Sequence, residues 1–171
     1  MAAHYGDPQV MPFRGGKAGA FSMVFDDSML SQADNAIPLL NARGLVGTFY
    51  LNPGLERYQQ RRETCEVLCL QYGHEFGNHT WHHHGAKNLA EADFEIGEAS
   101  RHIWTLYPER SKLLLFARGG GTEWGLSDEE IRALMEKHLC VRRPRGTAIM
   151  DERGTAETAT DVPRRALDAH T

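Results

Sequence analysis

Gly73-His74-Glu75-Phe76-Gly77-Asn78-His79-Thr80-Trp81-His82-His83-His84 carries four of the chain's 9 histidines in its last six positions. The residues from Gly73 to Gly77 read as a short strand that runs directly into the histidines. The same form recurs on either side. Phe21-Ser22-Met23-Val24-Phe25 reads as an apolar strand followed at once by Asp26-Asp27-Ser28. Leu45–Leu51 is a second strand, closed by Asn52-Pro53-Gly54, and Lys112–Ala117 is a fourth, followed by Arg118. Helical patterns separate them. Ser31–Arg43 has apolar residues at helical spacing, a Pro38 that opposes one clean helix, and Gly44 as a stop. Tyr58–Tyr72, Ala86–Tyr107 and Leu126–His138 follow, the last opened by the capping signature Ser127-Asp128-Glu129-Glu130. After Cys140 the pattern weakens. Strands alternating with helices predict a parallel α/β protein, in which chemistry gathers beyond the C-terminal ends of the strands.

Composition narrows the function classes. With 171 residues, one domain is the default, and a complete eight-unit barrel, which usually takes ~200 residues or more, is a tight fit. Lys+Arg total 19 and Asp+Glu total 23, a formal net charge of -4. No basic field draws nucleic acid, and the one basic cluster, Arg142-Arg143-Pro144-Arg145, is too short to change that. The longest apolar run, Leu113–Ala117, falls far below the ~20 residues of a membrane helix. The first residues show neither the basic nor the apolar region of a signal peptide, so the expectation from sequence is a cytoplasmic protein without membrane partners. Three cysteines argue against a disulfide framework, and Cys65, Cys69 and Cys140 read as reduced thiols.

Three strand ends carry unusual polar groups: Asp26-Asp27, His79 with His83, and Arg118. Histidines four apart on a helical turn share a face and grip one ion, and a carboxylate from Asp26 or Asp27 completes a 2-His-1-carboxylate set. Zinc, iron, cobalt, nickel and manganese accept such ligands. Two adjacent carboxylates allow a division of labour, one binding the ion and the other acting as base on an attacking water. Each feature has a plainer explanation alone, since paired aspartates cap turns and helices and an arginine before glycines is often loop. At successive strand ends they form a constellation.

The chain resembles the polysaccharide deacetylases, also called the NodB homology domain or carbohydrate esterase family 4. Val24-Phe25-Asp26-Asp27 is similar to the family's T-F-D-D, and His79-Thr80-Trp81-His82-His83 to its H-[ST]-x-x-H. Gly73–Asn78, the lead-in to the second motif, is similar to the family's G-H-E-I-G-N, and Gly44–Tyr50, between the two motifs, resembles its G-[VI]-x-A-T-F-F segment. Phe116-Ala117-Arg118-Gly119-Gly120-Gly121 stands where R-P-x-x-G is usual. The resemblance implies that Asp27, His79 and His83 bind one divalent transition metal, zinc before cobalt, nickel or manganese. It implies that Asp26 is the general base and that Arg118 hydrogen-bonds Asp26. Backbone N–H groups at Gly120 and Gly121 would stabilise the oxyanion, and the Thr80 hydroxyl would brace the motif. The implied activity is hydrolytic removal of acetyl groups from an acetylated carbohydrate. His82 and His84 have no family role.

The departures shape the expectation. Ser28 stands where the family usually has Gly, and Gly119 replaces the Pro of the third motif. The later motifs, a groove-lining Trp and an L-x-H strand whose His protonates the leaving group, are not visible. Leu167-Asp168-Ala169-His170 is only an imitation in a polar tail. The expected organisation is a loose segment over 1–20, a deacetylase-like domain over 21–150, and a polar tail or the start of missing strands over 151–171. The expected fold is a distorted, incomplete (β/α) barrel, the front portion of a larger one. A metal- or carbohydrate-binding module without full catalysis, and a hydrolase of a small non-sugar amide, are the rival functions.

Overall fold

In the computed structural model the described residues are 21–119 and 121–143. Five strands form one sheet in the order β1-β2-β3-β4-β5, every neighbouring pair parallel. They are β1 Val24–Phe25, β2 Thr48–Leu51, β3 Glu75–Asn78, β4 Leu114–Phe116 and β5 Cys140–Arg142. Adding each strand beside the last, always in one direction, is how a (β/α) barrel grows. Right-handed crossovers then keep the helices on one face of the sheet. Among the described residues the sheet is an open arc, an α/β fold consistent with part of such a barrel. The unit that carries it runs from Met23 to Pro144. The segment 1–20, the tail 151–171 with Leu167–His170, and Gly120 lie outside the described residues.

The first crossover shows local chemistry overriding a simple helix. Pro38 lacks an N–H, and its ring crowds the carbonyl four residues back. The chain answers with a π-helical turn over Gln32–Ala36, and α1 then spans Ile37–Ala42 with the proline in its first turn, where a missing N–H costs nothing. Gly44, at φ +62°, ends the helix in the left-handed conformation that suits glycine. The expected helix over Tyr58–Tyr72 is two helices, α2 Glu56–Gln60 and α3 Arg62–Tyr72, divided at Arg61.

The long helix α4, Leu89–Leu106, begins at an Asn88 cap whose side chain accepts the Glu91 N–H. The last helix, α5 Asp128–Lys137, has the full capping box between Ser127 and Glu130. The sequence pattern does not predict strand β5. Only Cys140 of its three residues is buried, so it has no apolar run to announce it, and its pairing with Leu114–Phe116 defines it.

The core lies between sheet and helices, with Phe49, Phe76 and Phe116 from the strands against Ile37, Ile96, Ile103 and Ile131 from the helices. Side chains of this size contribute ~1.5–3 kcal/mol each on full burial. Cys69 and Cys140 are buried, Cys65 is half-buried, and all three are free thiols. Burial pushes Cys65 and Cys140 up to about 11, so they stay protonated at neutral pH. No helix among the described residues is long and apolar enough to cross a membrane.

Candidate metal centre

Two strand ends and one turn build the site. β1 delivers Asp26 and Asp27, β3 delivers His79, and the turn after it returns His83. The ligand atoms of Asp27, His79 and His83 lie within 4.8 Å of one another. The backbone that brings them there is strained. Asp27, Ser28, Thr80 and His83 adopt φ values of 72°, 50°, 72° and 58°, left-handed conformations that L-residues ordinarily avoid. Such strain persists where surrounding contacts over-determine it, and it clusters at functional sites.

Those contacts are specific. Asn52, fully buried at the end of β2, donates its side-chain N–H groups to the carbonyls of His79 and Thr80. Its own backbone N–H is accepted by Ser28 Oγ at 2.9 Å. Asn78 Oδ1 accepts the Thr80 N–H at 2.8 Å, and Thr80 Oγ1 accepts the His83 N–H at 3.1 Å. Arg57 Nε donates to the Asp27 carbonyl at 2.6 Å. Neither Asn52 nor Arg57 stood out in the sequence. In the sequence Asn52 is a turn residue closing a strand, a pattern that says nothing of which loop its amide braces.

Proton bookkeeping tests whether these residues fit a metal. His79 Nδ1 lies 2.7 Å from the Ala117 carbonyl, which only accepts, so Nδ1 carries the proton. In a neutral ring Nε2 is then a bare lone pair, yet it faces Asp27 Oδ1 at 3.1 Å. His83 Nε2 lies 3.0 Å from the same oxygen but makes no hydrogen bond, leaving a buried nitrogen without a partner among the described residues. Acceptors aimed at one point need a cation between them, and a divalent ion satisfies all three.

The electrostatics agree. The contact with His79 above all, then the neighbouring His83 and Arg57, hold the Asp27 carboxyl below its ordinary range, although burial opposes them. Burial, then the adjacent His79, pushes His83 below the ordinary histidine value, towards the neutral form that ligates metals. Gly119 lies against this ring: a Cβ there would fall 2.6 Å from His83 Nε2. The glycine at this position lets the loop backbone approach the histidine.

Asp26 is held differently from the sequence expectation. Arg143 Nη1 and Nη2 grip its two carboxylate oxygens at 2.5 and 2.6 Å, a bidentate fork. The same guanidinium sits over the Tyr50 ring, 4.7 Å from its centroid. Arg118 is exposed and makes no hydrogen bond to Asp26. The expected Arg118–Asp26 contact is therefore replaced by Arg143–Asp26. The reason is topological: β5 pairs with β4 and places Arg143 just beyond a strand end, as Asp26, His79 and Arg118 also are. In the sequence Arg143 stands only as part of the short basic cluster Arg142-Arg143-Pro144-Arg145. Gly121 is exposed with φ 70°, and Gly120 lies outside the described residues.

The family model described as polysaccharide deacetylase matches residues 14–138, well over half of the chain. No curated protein matches the sequence significantly. Among solved structures, the Streptococcus pyogenes deacetylase PplD in complex with acetate aligns with a TM-score of 0.62 at 15% identity, over 88% of this chain and 70% of that one. The peptidoglycan deacetylase PdaC from Bacillus subtilis aligns with a TM-score of 0.61 at 21% identity, over 86% and 67%. BA3943, a CE4 family pseudoenzyme from Bacillus anthracis, aligns with a TM-score of 0.55 at 14% identity. That alignment covers 71% of this chain, which spans only 41% of the pseudoenzyme's length. At these identities the likeness is one of fold.

Proposed function

The chain belongs to the polysaccharide deacetylase family, and from that membership we propose that it is a metal-dependent hydrolase that removes acetyl groups from an acetylated polysaccharide. The observation that carries the reading is the convergence of the Asp27, His79 and His83 acceptors beside an Asp26 clamped by Arg143. Asp27, His79 and His83 would hold one divalent ion, of which zinc suits two imidazoles and a carboxylate best. When bound, such an ion supplies Lewis acidity towards a carbonyl oxygen and lowers the pKa of water.

The remaining work falls to the chain's own groups. Arg143 keeps both oxygens of Asp26 oriented and compensates its charge, which positions the carboxylate as the acceptor of a proton from the attacking water. The Ala117 carbonyl fixes the His79 tautomer and so aims Nε2 at the centre. Thr80 ties the His83 backbone to the strand end. The acetyl-bearing class of substrate follows from family membership. Peptidoglycan fragments belong in the assay because PdaC, which shares the fold, is described as a peptidoglycan deacetylase.

Acetate release from chito-oligosaccharides, peptidoglycan fragments and acetylxylan tests the proposal. Release by the zinc-loaded chain, abolished by chelator, is the expected result. Stoichiometric metal with no acetate from any substrate would instead favour a binding module.

A further inference from the structure

A second convergence of ligating atoms lies on the other side of the same histidine run. Glu95 projects from α4 with 1% of its surface exposed. Its Oε2 accepts the His82 N–H at 2.7 Å. Its Oε1 lies 2.7 Å from His82 Nδ1 and 3.4 Å from His84 Nε2. The left-handed backbone at His83 separates the two groups: the His83 ring turns to Asp27, while the rings before and after it turn to Glu95.

A carboxylate this deeply buried needs compensating charge. Among the described residues its only ion-pair partners are these two imidazoles, with no lysine or arginine in contact. The proton placement is again informative. His84 Nδ1 faces the Gly85 carbonyl at 3.1 Å, so it carries a proton, and in a neutral ring Nε2 then presents a lone pair to the Glu95 oxygen. Acceptor faces acceptor, as at His79. The His82 and His84 rings are parallel within 11° with centroids 5.2 Å apart, and Phe94 stacks on His82. The three donor atoms all lie within 4.8 Å of one another. His84 and Glu95 border a cleft of about 820 Å³ that Lys87, Glu91, Phe94 and Glu123 also line.

We propose that His82, His84 and Glu95 form a second divalent transition-metal site, independent of Asp27, His79 and His83, with its open coordination positions facing this cleft. Two imidazoles and one carboxylate select an ion of the zinc class over magnesium or calcium, which prefer all-oxygen sets. The His82 N–H on Oε2 leaves Oε1 as the ligating oxygen, the kind of outer support that ligating carboxylates use. With the ion bound, His82 carries its proton on Nε2 and no group changes net charge.

Zinc titration of the metal-stripped full chain, followed calorimetrically and by elemental analysis after gel filtration, tests this. The wild type should bind two equivalents. His84→Ala, which changes a side chain 60% exposed and so leaves the fold intact, should weaken one equivalent by about 100-fold or more. Glu95→Gln should weaken the same equivalent. Asp27→Ala should remove only the other. Cobalt substitution should give two additive visible spectra, one lost in each variant. Two equivalents of unchanged affinity in His84→Ala would overturn the proposal, as would a single equivalent in the wild type that Asp27→Ala abolishes. Loss of one equivalent in His84→Ala but none in Asp27→Ala would leave this site standing and overturn the first.

Discussion

Arg143 and Asp26, 117 residues apart in sequence, meet in a bidentate ion pair of 2.5 and 2.6 Å. The pair joins the two outermost strands of the described arc through their following residues, bridging its C-terminal edge from β5 to β1. It therefore couples the orientation of the proposed base to the docking of a short strand.

That coupling is measurable in kcat. Asp26→Asn should keep zinc stoichiometry but lower kcat by ~10²–10⁴-fold, the usual scale of general-base loss. Arg143→Ala should lower kcat by roughly a hundred-fold, the bottom of that scale, with KM little changed, because the base remains but loses its orientation. Arg143→Lys should not restore it, since an ammonium does not reproduce the planar fork. Arg118→Ala should show the smaller loss of the two arginine variants. The reverse order would return the positioning role to Arg118.

Metal removal separates ligand from base. Asp27→Ala and His79→Ala should each weaken zinc at the first centre by about 100-fold or more, measured by competition with a chromophoric chelator. Retained tight binding in both variants would overturn the ligand assignment.

Acid should destabilise the fold through His74, which is fully buried. Its Nδ1 accepts the Gly47 N–H at 3.0 Å, and Nε2 faces Asn41 Oδ1 at 2.8 Å, an arrangement that suits the neutral ring. Burial pushes its pKa below the ordinary 6.5. The unfolded chain then binds the extra proton first. Stability is fully present above pH ~6.5 and falls as pH drops from there through the lowered folded value. Urea melts of metal-free protein between pH 7.5 and 5 should show this slope, and His74→Gln should flatten it. An unchanged slope would place the acid sensitivity elsewhere.

Asn52 is the buried brace of the candidate metal centre, and its loss strands the His79 and Thr80 carbonyls. Asn52→Ala should cost ~1–3 kcal/mol in urea unfolding, the penalty for unsatisfied buried groups. It should also weaken zinc binding, because Thr80 and His83 are held in strained conformations that the amide helps to fix. A destabilised variant with unchanged zinc affinity would confine Asn52 to the fold.

Capping gives a control far from the chemistry. Ser127→Ala removes one half of the box at the start of α5 and should cost ~1 kcal/mol, read as a lowered urea midpoint with unchanged metal stoichiometry.

Sequence alone determined the parallel α/β class and the places where chemistry gathers. Asp26-Asp27 follow an apolar strand and His79-Thr80-Trp81-His82-His83 a short one, and both facts are local: strand pattern and motif spacing are written within a few residues. The tertiary structure decided which distant groups meet at each candidate site. Arg143 reaches Asp26 only because β5, three residues long with two of them exposed, pairs with β4. Glu95 meets His82 and His84 because α4 packs on β3 and the backbone at His83 turns left-handed, sending alternate rings to opposite partners. Neither event leaves a mark in hydrophobic pattern, since side-chain pairing across more than ten residues is set by how crossovers pack and not by local propensity.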